Sequence, residues 1–111
     1  MAARANLRIE QGTNFSADVT VKDTDGNALN LTGYTAEAKM SKGYSSTQTR
    51  TVLTSTIGSP STGVIALTLD KSITSDLEDG RYVYDIEINQ TSTSTVTRVL
   101  EGIITVSPSV T

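Results

Sequence analysis

The chain has no cysteine, no histidine and no tryptophan, and it has one phenylalanine and two prolines in 111 residues. The absence of cysteine removes disulfides and thiolate metal sites together, and leaves the redox compartment unspecified. The absence of histidine removes the commonest general base and the commonest transition-metal ligand. Basic residues are few as well: 9 against 12 acids, a net charge of −3. That balance argues against nucleic acid or an anionic membrane as a partner, because both need clustered Lys and Arg. No apolar run approaches the ~20 residues that span a bilayer. The first residues, "MAARANLRIEQG", carry two arginines but no apolar core of the kind a secretory signal has, so the sequence is expected to be made and used without export through that route.

What the chain does have is serine and threonine, 32 residues in all. They are interleaved with Val, Ile and Leu, which favours strands, since β-branched Thr fits the pleat and turns a hydroxyl to water. A disordered Ser/Thr linker would lack those aliphatics. The length is that of one domain, 1–111, able to bury roughly 65% of its unfolded surface without a staple.

Alternation locates the strands. In "FSADVTVK", Phe15, Ala17, Val19 and Val21 face one way and Ser16, Asp18, Thr20 and Lys22 the other. "DTDGN" follows, with Asp25-Gly26 as a tight-turn signal, and "LTGY" leads through Gly33 into a strand whose apolar face is Tyr34, Ala36, Ala38 and Met40. "SKGYSSTQTR" has no apolar period and reads as a loop or hairpin end. Strands are expected at "TVLTSTI" and "VIALTL", the latter with Ile65, Leu67 and Leu69 inward, and a turn at "GSPSTG" between them. In "DKSITSDLEDG" the spacing of Ile73 and Leu77 predicts one helical turn near residues 72–77, with Ser72 as its cap. "RYVYDIEIN" places Tyr82, Tyr84, Ile86 and Ile88 on one face. After a polar hairpin loop at "QTSTST", "VTRVLEGIITVS" closes the chain, with Gly102 expected as a bulge or bend and Pro108 as the stop. A further strand is possible near Asn6–Glu10. Seven or eight short strands with regular turn signals indicate an all-β antiparallel sandwich.

The stretch "LEDGRYVYDIEI" concentrates two of the four tyrosines. It resembles the corner of immunoglobulin-like sandwiches, where a Tyr near the start of the penultimate strand bonds back through its hydroxyl. Glu78, Gly80 and Tyr82 match that pattern, and Tyr84 falls where an antibody domain has Cys. The two tyrosines are therefore expected to be corner and core residues; a ligand-stacking role is the alternative.

Motifs that suggest chemistry have plainer readings. "DTDGN" lacks the third ligand and the Glu at the twelfth position of a calcium loop, where Tyr34 stands, so a turn is expected and no metal. Asp76, Glu78, Asp79, Asp85 and Glu87 cluster, and paired carboxylates can hydrolyse glycosides. Asp85 and Glu87, however, share the polar face of a strand whose other face is core. Three Asn-x-Ser/Thr triplets, at Asn14, Asn30 and Asn89, are what so much Ser and Thr produces by chance. A Ser or Thr nucleophile would need a base, no Ser-x-x-Lys occurs, and there is no glycine-rich phosphate loop. No catalytic residue, no cofactor and no enzyme are expected.

Three segments in order carry a wider resemblance: "FSADVTVKDTDGNALNLTGYTAEAKM", "LEDGRYVYDIEI" and "TRVLEGIITVSPSVT". They resemble small immunoglobulin-like β-sandwich virion proteins of tailed bacteriophages, cyanophages among them. They are also similar to the N-terminal attachment domain of phage upper-baseplate and tail-fibre proteins. The resemblance implies a non-enzymatic assembly module in the virion, assembled in the host cytoplasm and held by contacts with other virion proteins. With the sequence closing at Thr111, it implies a free-standing piece: a head decoration protein or a small tail or baseplate component. The matching motifs are structural: Gly26, Gly33, Gly80, Tyr82 and Tyr84. Docking arms are expected at 1–10 and 107–111. Lys42 and Tyr44, in the loop "SKGYSSTQ", are candidate partner contacts, since Tyr is favoured at interfaces. The competing reading is a carbohydrate-binding or adhesive sandwich, for which Tyr44 is the aromatic available.

Overall fold

In the computed structural model, residues 3–23, 25–43 and 50–110 are described. Their order is β1 (Ala3–Arg4), β2 (Leu7–Glu10), β3 (Phe15–Thr20), β4 (Tyr34–Ser41), β5 (Thr51–Thr56), a 3₁₀ turn (Pro60–Thr62), β6 (Val64–Leu69), α1 (Lys71–Thr74), β7 (Gly80–Gln90) and β8 (Thr95–Ser107). The strands lie in the order β1-β8-β7-β4-β5-β6-β3, with β2 also on β8.

One strand turns this order into two layers. The first half of β5 pairs with β4, Leu53 opposite Ala38 and Thr51 opposite Met40. Its second half pairs with β6, Thr54 opposite Thr68 and Thr56 opposite Ala66. A strand that changes partner midway carries the sheet around a corner, so that the layer β2-β8-β7-β4 faces the layer β6-β3. The fold is all-β and immunoglobulin-like.

The core lies between the layers and is built from the alternating positions. Phe15, Val19 and Val21 are buried from one side; Ile65, Leu67 and Leu69 join them from β6. Tyr82, Tyr84, Ile86 and Ile88 are buried along β7, and Leu100, Ile104 and Val106 along β8. Each such aliphatic contributes about 1.5–3 kcal/mol over remaining exposed, which is why the β7–β8 ribbon anchors the fold.

Four expectations are corrected. The sheet is mixed, because β1 and β2 run parallel to β8, Leu7 opposite Ile104 and Ile9 opposite Val106. The segment from Ala3 to Glu10 is therefore part of the sheet, with Ile9 fully buried, and is not a free docking arm. At the other terminus, Ser107 ends β8, the Ser109 N–H donates to Gln11 Oε1 at 3.0 Å, and Val110 is fully exposed.

The helical turn is capped by Asp70, whose carboxylate accepts from the Ser72 N–H at 3.1 Å and its hydroxyl at 2.7 Å. Asp70 holds the cap position by its place, with extended φ and ψ just before the first helical residue, while Ser72 lies inside the turn. The inward residues are Thr74 and Leu77, while Ile73 stays 42% exposed. The bulge in β8 falls at Val99, where Ile86 pairs with Leu100 but Glu87 with Arg98, and not at Gly102.

Candidate functional site

The start of β7 is a tied corner. Leu77 is buried beneath it, and Gly80 turns into the strand at φ +122°. Tyr82, two residues on, donates its hydroxyl to the Glu78 carbonyl at 2.9 Å. Burial, and then the Glu78 carboxylate, raise the Tyr82 phenol above its ordinary range. From the end of β4 the Lys42 ammonium donates to the Asp79 carbonyl at 2.9 Å and stands 4.7 Å from the centre of the Tyr82 ring. Lys42, expected as a partner contact, is thus held by its own chain, because the corner presents a carbonyl and a ring face at the reach of a lysine. Tyr44 lies outside the described residues.

Tyr84 serves a different joint. Its hydroxyl donates to the Ala5 carbonyl at 2.6 Å, between β1 and β2. The Ala5 N–H donates to Glu101 O at 3.0 Å, and Asn6 Oδ1 accepts from the Ile103 N–H at 3.2 Å. A Cβ at position 102 would overlap the Ala5 carbonyl oxygen and stand 3.1 Å from Tyr84 Cε1. Gly102 is what lets the N-terminal backbone approach β8 this closely. Burial pushes the Tyr84 phenol up to about 12. Nothing local in "EGIITV" distinguishes this role from a bulge; the signal was the glycine itself.

Gly26 and Gly33 take φ of +87° and +83°. Gly26 closes the "DTDGN" turn, where the Asp23 carboxylate accepts from the amides of Asp25 at 2.9 Å and Asn27 at 3.0 Å. That carboxylate stabilises the turn in the way an Asx-turn does. The Gly33 carbonyl receives both the N–H and the hydroxyl of Thr91 at 3.1 Å, joining the β3–β4 connection to the β7–β8 loop.

The acids divide between two places. Asp76, Glu78 and Asp79 belong to the corner. Asp85 and Glu87 lie on the outer face of β7, within a charged surface that runs across four strands. There Arg98 meets Asp85 at 3.4 Å and Glu101 at 3.7 Å, Arg4 meets Glu101 at 3.2 Å, and Lys39 meets Glu37 at 2.9 Å. Glu87 faces Glu37 across the β4–β7 pair. Exposed pairs of this kind contribute about 0–1 kcal/mol each. A shallow depression between β4 and β7 is bordered by Glu37, Lys39, Ser41, Arg50, Asp85 and Glu87. Arg50 donates there to Ser41 Oγ at 2.9 Å, and Ser41 donates to the Gly43 carbonyl, so these groups hold one another. Among the described residues no three of His, Cys, Asp or Glu come together as a metal site.

Of the groups singled out from the sequence, Tyr82 and Lys42 thus serve the corner and Tyr84 the N-terminal strands. No family model and no curated protein matches the chain. Among solved structures, the crystal structure of the Lin-41 filamin domain is similar at 15% identity and a TM-score of 0.45, covering 90% of this chain and 82% of that one.

Proposed function

We propose that this chain is a non-enzymatic structural module of a tailed-phage particle, held on the head or in the tail or baseplate by protein–protein contacts. The observation that carries the reading is the order of the three resembling segments, 15–40, 77–88 and 97–111. They correspond to β3 through β4, to the corner with β7, and to β8. The reading is supported by the employment of the prominent polar side chains. Tyr82, Tyr84 and Lys42 each donate to a main-chain carbonyl of the fold, and main-chain groups at a sheet edge are a surface by which such a module can be held.

The test is quantitative mass spectrometry of purified particles of the encoding phage, reading the molar ratio of this chain to the major capsid protein. Abundance close to that of the capsid protein makes it a head decoration protein. A small number of copies per particle makes it a neck, tail or baseplate component. Absence from the particle overturns the reading, and a glycan array then tests the adhesive alternative.

A further inference from the structure

β3 ends the strand order, and β6 is its strand partner. In an antiparallel ladder, alternate residues turn their N–H and C=O toward the partner and the others turn them away. The Val21 N–H donates to Gly63 O at 2.7 Å, one pair beyond Thr20 opposite Val64. Phe15, Ala17 and Val19 therefore face β6 with their main chains. Ser16, Asp18 and Thr20 turn theirs to the open side. The strand contains no proline and no lysine and its register with β6 is unbroken; Asp18 is the one charge it sets against indiscriminate pairing.

The gap beside this edge is a groove. β2 borders the facing layer, and between β2 and β3 lies a concavity lined by Leu7, Arg8, Glu10, Phe15 and Ala17. Leu7 and Ala17 pack against the core from below yet stay half-buried, whereas Ile9, Phe15 and Val19 beside them are buried. Among the described residues no strand roofs the first two. At one end α1 closes the groove, its Lys71 N–H donating to Asn14 Oδ1 at 2.9 Å and its Thr74 hydroxyl to Thr13 O at 2.7 Å.

We propose that this groove accepts an extended segment of a partner protein, laid along β3 and bonded to the main chain of Ser16, Asp18 and Thr20. Only another extended backbone offers donors and acceptors at the spacing of those groups. Alternate side chains of the segment are apolar and cover Leu7 and Ala17. Across from Asp18 the segment carries Lys or Arg, because Asp18 is the one charged side chain of β3 and is exposed. A second copy of this chain is the poorer occupant, since it would set its own Asp18 on the same edge as this one, like charge beside like. The inference rests on the protein-contact part of the function proposed above.

The probe is a short synthetic peptide of alternating valine and threonine with one central lysine, added to the intact chain and followed by amide hydrogen exchange. In the free chain the amides of Ser16, Asp18 and Thr20 exchange freely. With peptide at saturation they slow by roughly tenfold or more. A peptide with glutamate in place of the lysine binds several-fold more weakly. Asp18→Pro removes an outward N–H and leaves the β6 ladder intact, a substitution an edge strand tolerates. It abolishes slowing at Ser16 and Thr20 in a chain whose other amides remain protected; Ser16→Pro serves in its place should Asp18→Pro fail to fold. Three results overturn the proposal: no slowing with the lysine peptide, slowing that survives the proline variant, or protection in the free chain that grows with its own concentration, which assigns the edge to a second copy. Absence of the chain from particles sinks the virion reading and leaves this result standing, so the two failures are distinct.

Discussion

Tyr82 and Tyr84 stand two residues apart on one face of one strand, both buried, and both give their hydroxyl to a main-chain carbonyl. Tyr82 reaches four residues back, to Glu78; Tyr84 reaches across 79 residues, to Ala5. The first bond closes a corner that the chain has already nearly formed. The second fastens the N-terminal strands to a sheet assembled from the rest of the molecule. The lesson is that one residue type, on one face, with one kind of partner, can hold either local geometry or long-range topology. Which of the two it holds depends on what passes over it.

The sharpest way to break the long-range joint is at Gly102. Gly102→Val forces side-chain atoms into the Ala5 carbonyl, and overpacking of this kind is expected to cost about 3 kcal/mol. Urea unfolding measures the loss, and hydrogen exchange should show the amides of Leu7–Glu10 losing protection while those of β7 keep theirs. Equal loss in both would show that the joint is not separate from the sandwich.

Removing only the hydroxyl is gentler. Tyr84→Phe leaves the Ala5 carbonyl facing a ring, at an expected cost of about 2 kcal/mol. It also has a pH signature. The folded-state phenol lies at about 12, above the ordinary value of 10.0, so its contribution is fully present below pH 10.0 and is lost as pH rises toward about 12. Wild type should lose stability through that window more steeply than Tyr84→Phe. Parallel curves would remove the burial argument for Tyr84.

The local joint is expected to be the weaker. Tyr82→Phe should cost about 1 kcal/mol, and Lys42→Met, which removes the ammonium from the Asp79 carbonyl and the Tyr82 ring, about 0.5 kcal/mol. The two changes touch one corner, so a double-mutant cycle between them should show coupling, whereas Lys42→Met with Tyr84→Phe should be additive. A corner change costing more than Tyr84→Phe would invert the comparison.

Much of the frame is legible in the residues. The alternation from Phe15 to Val21 and from Tyr82 to Ile88 assigns the buried face correctly, because a strand's period of two ties side-chain identity directly to burial. Asp23, Gly26 and Asn27 announce their turn by chemistry confined to five residues. The hold of Lys42 on the corner was not legible, because a lysine's reach allows many partners and the carbonyl it takes is 37 residues away. Gly102 was misjudged because a glycine in a strand means either a bulge or a close approach, and the approaching chain comes from the opposite terminus. Ser72 reads as the cap because the helical turn is too short for its spacing to mark the first residue, and the cap is Asp70.

The sequence by itself determined most of the strands from Phe15 onward, their core faces and the Asp23–Asn27 turn; the tyrosine corner before β7 was carried by resemblance. These follow from interactions within a few residues, where periodicity and backbone preference dominate. Only the tertiary structure decided that β5 changes layers, that β1 and β2 run parallel to β8, that Tyr84 fastens Ala5, and that β3 is left with an open edge. Alternation states which way a side chain points but is silent on which strand lies alongside. That choice is made by the closing of the whole sandwich around one core.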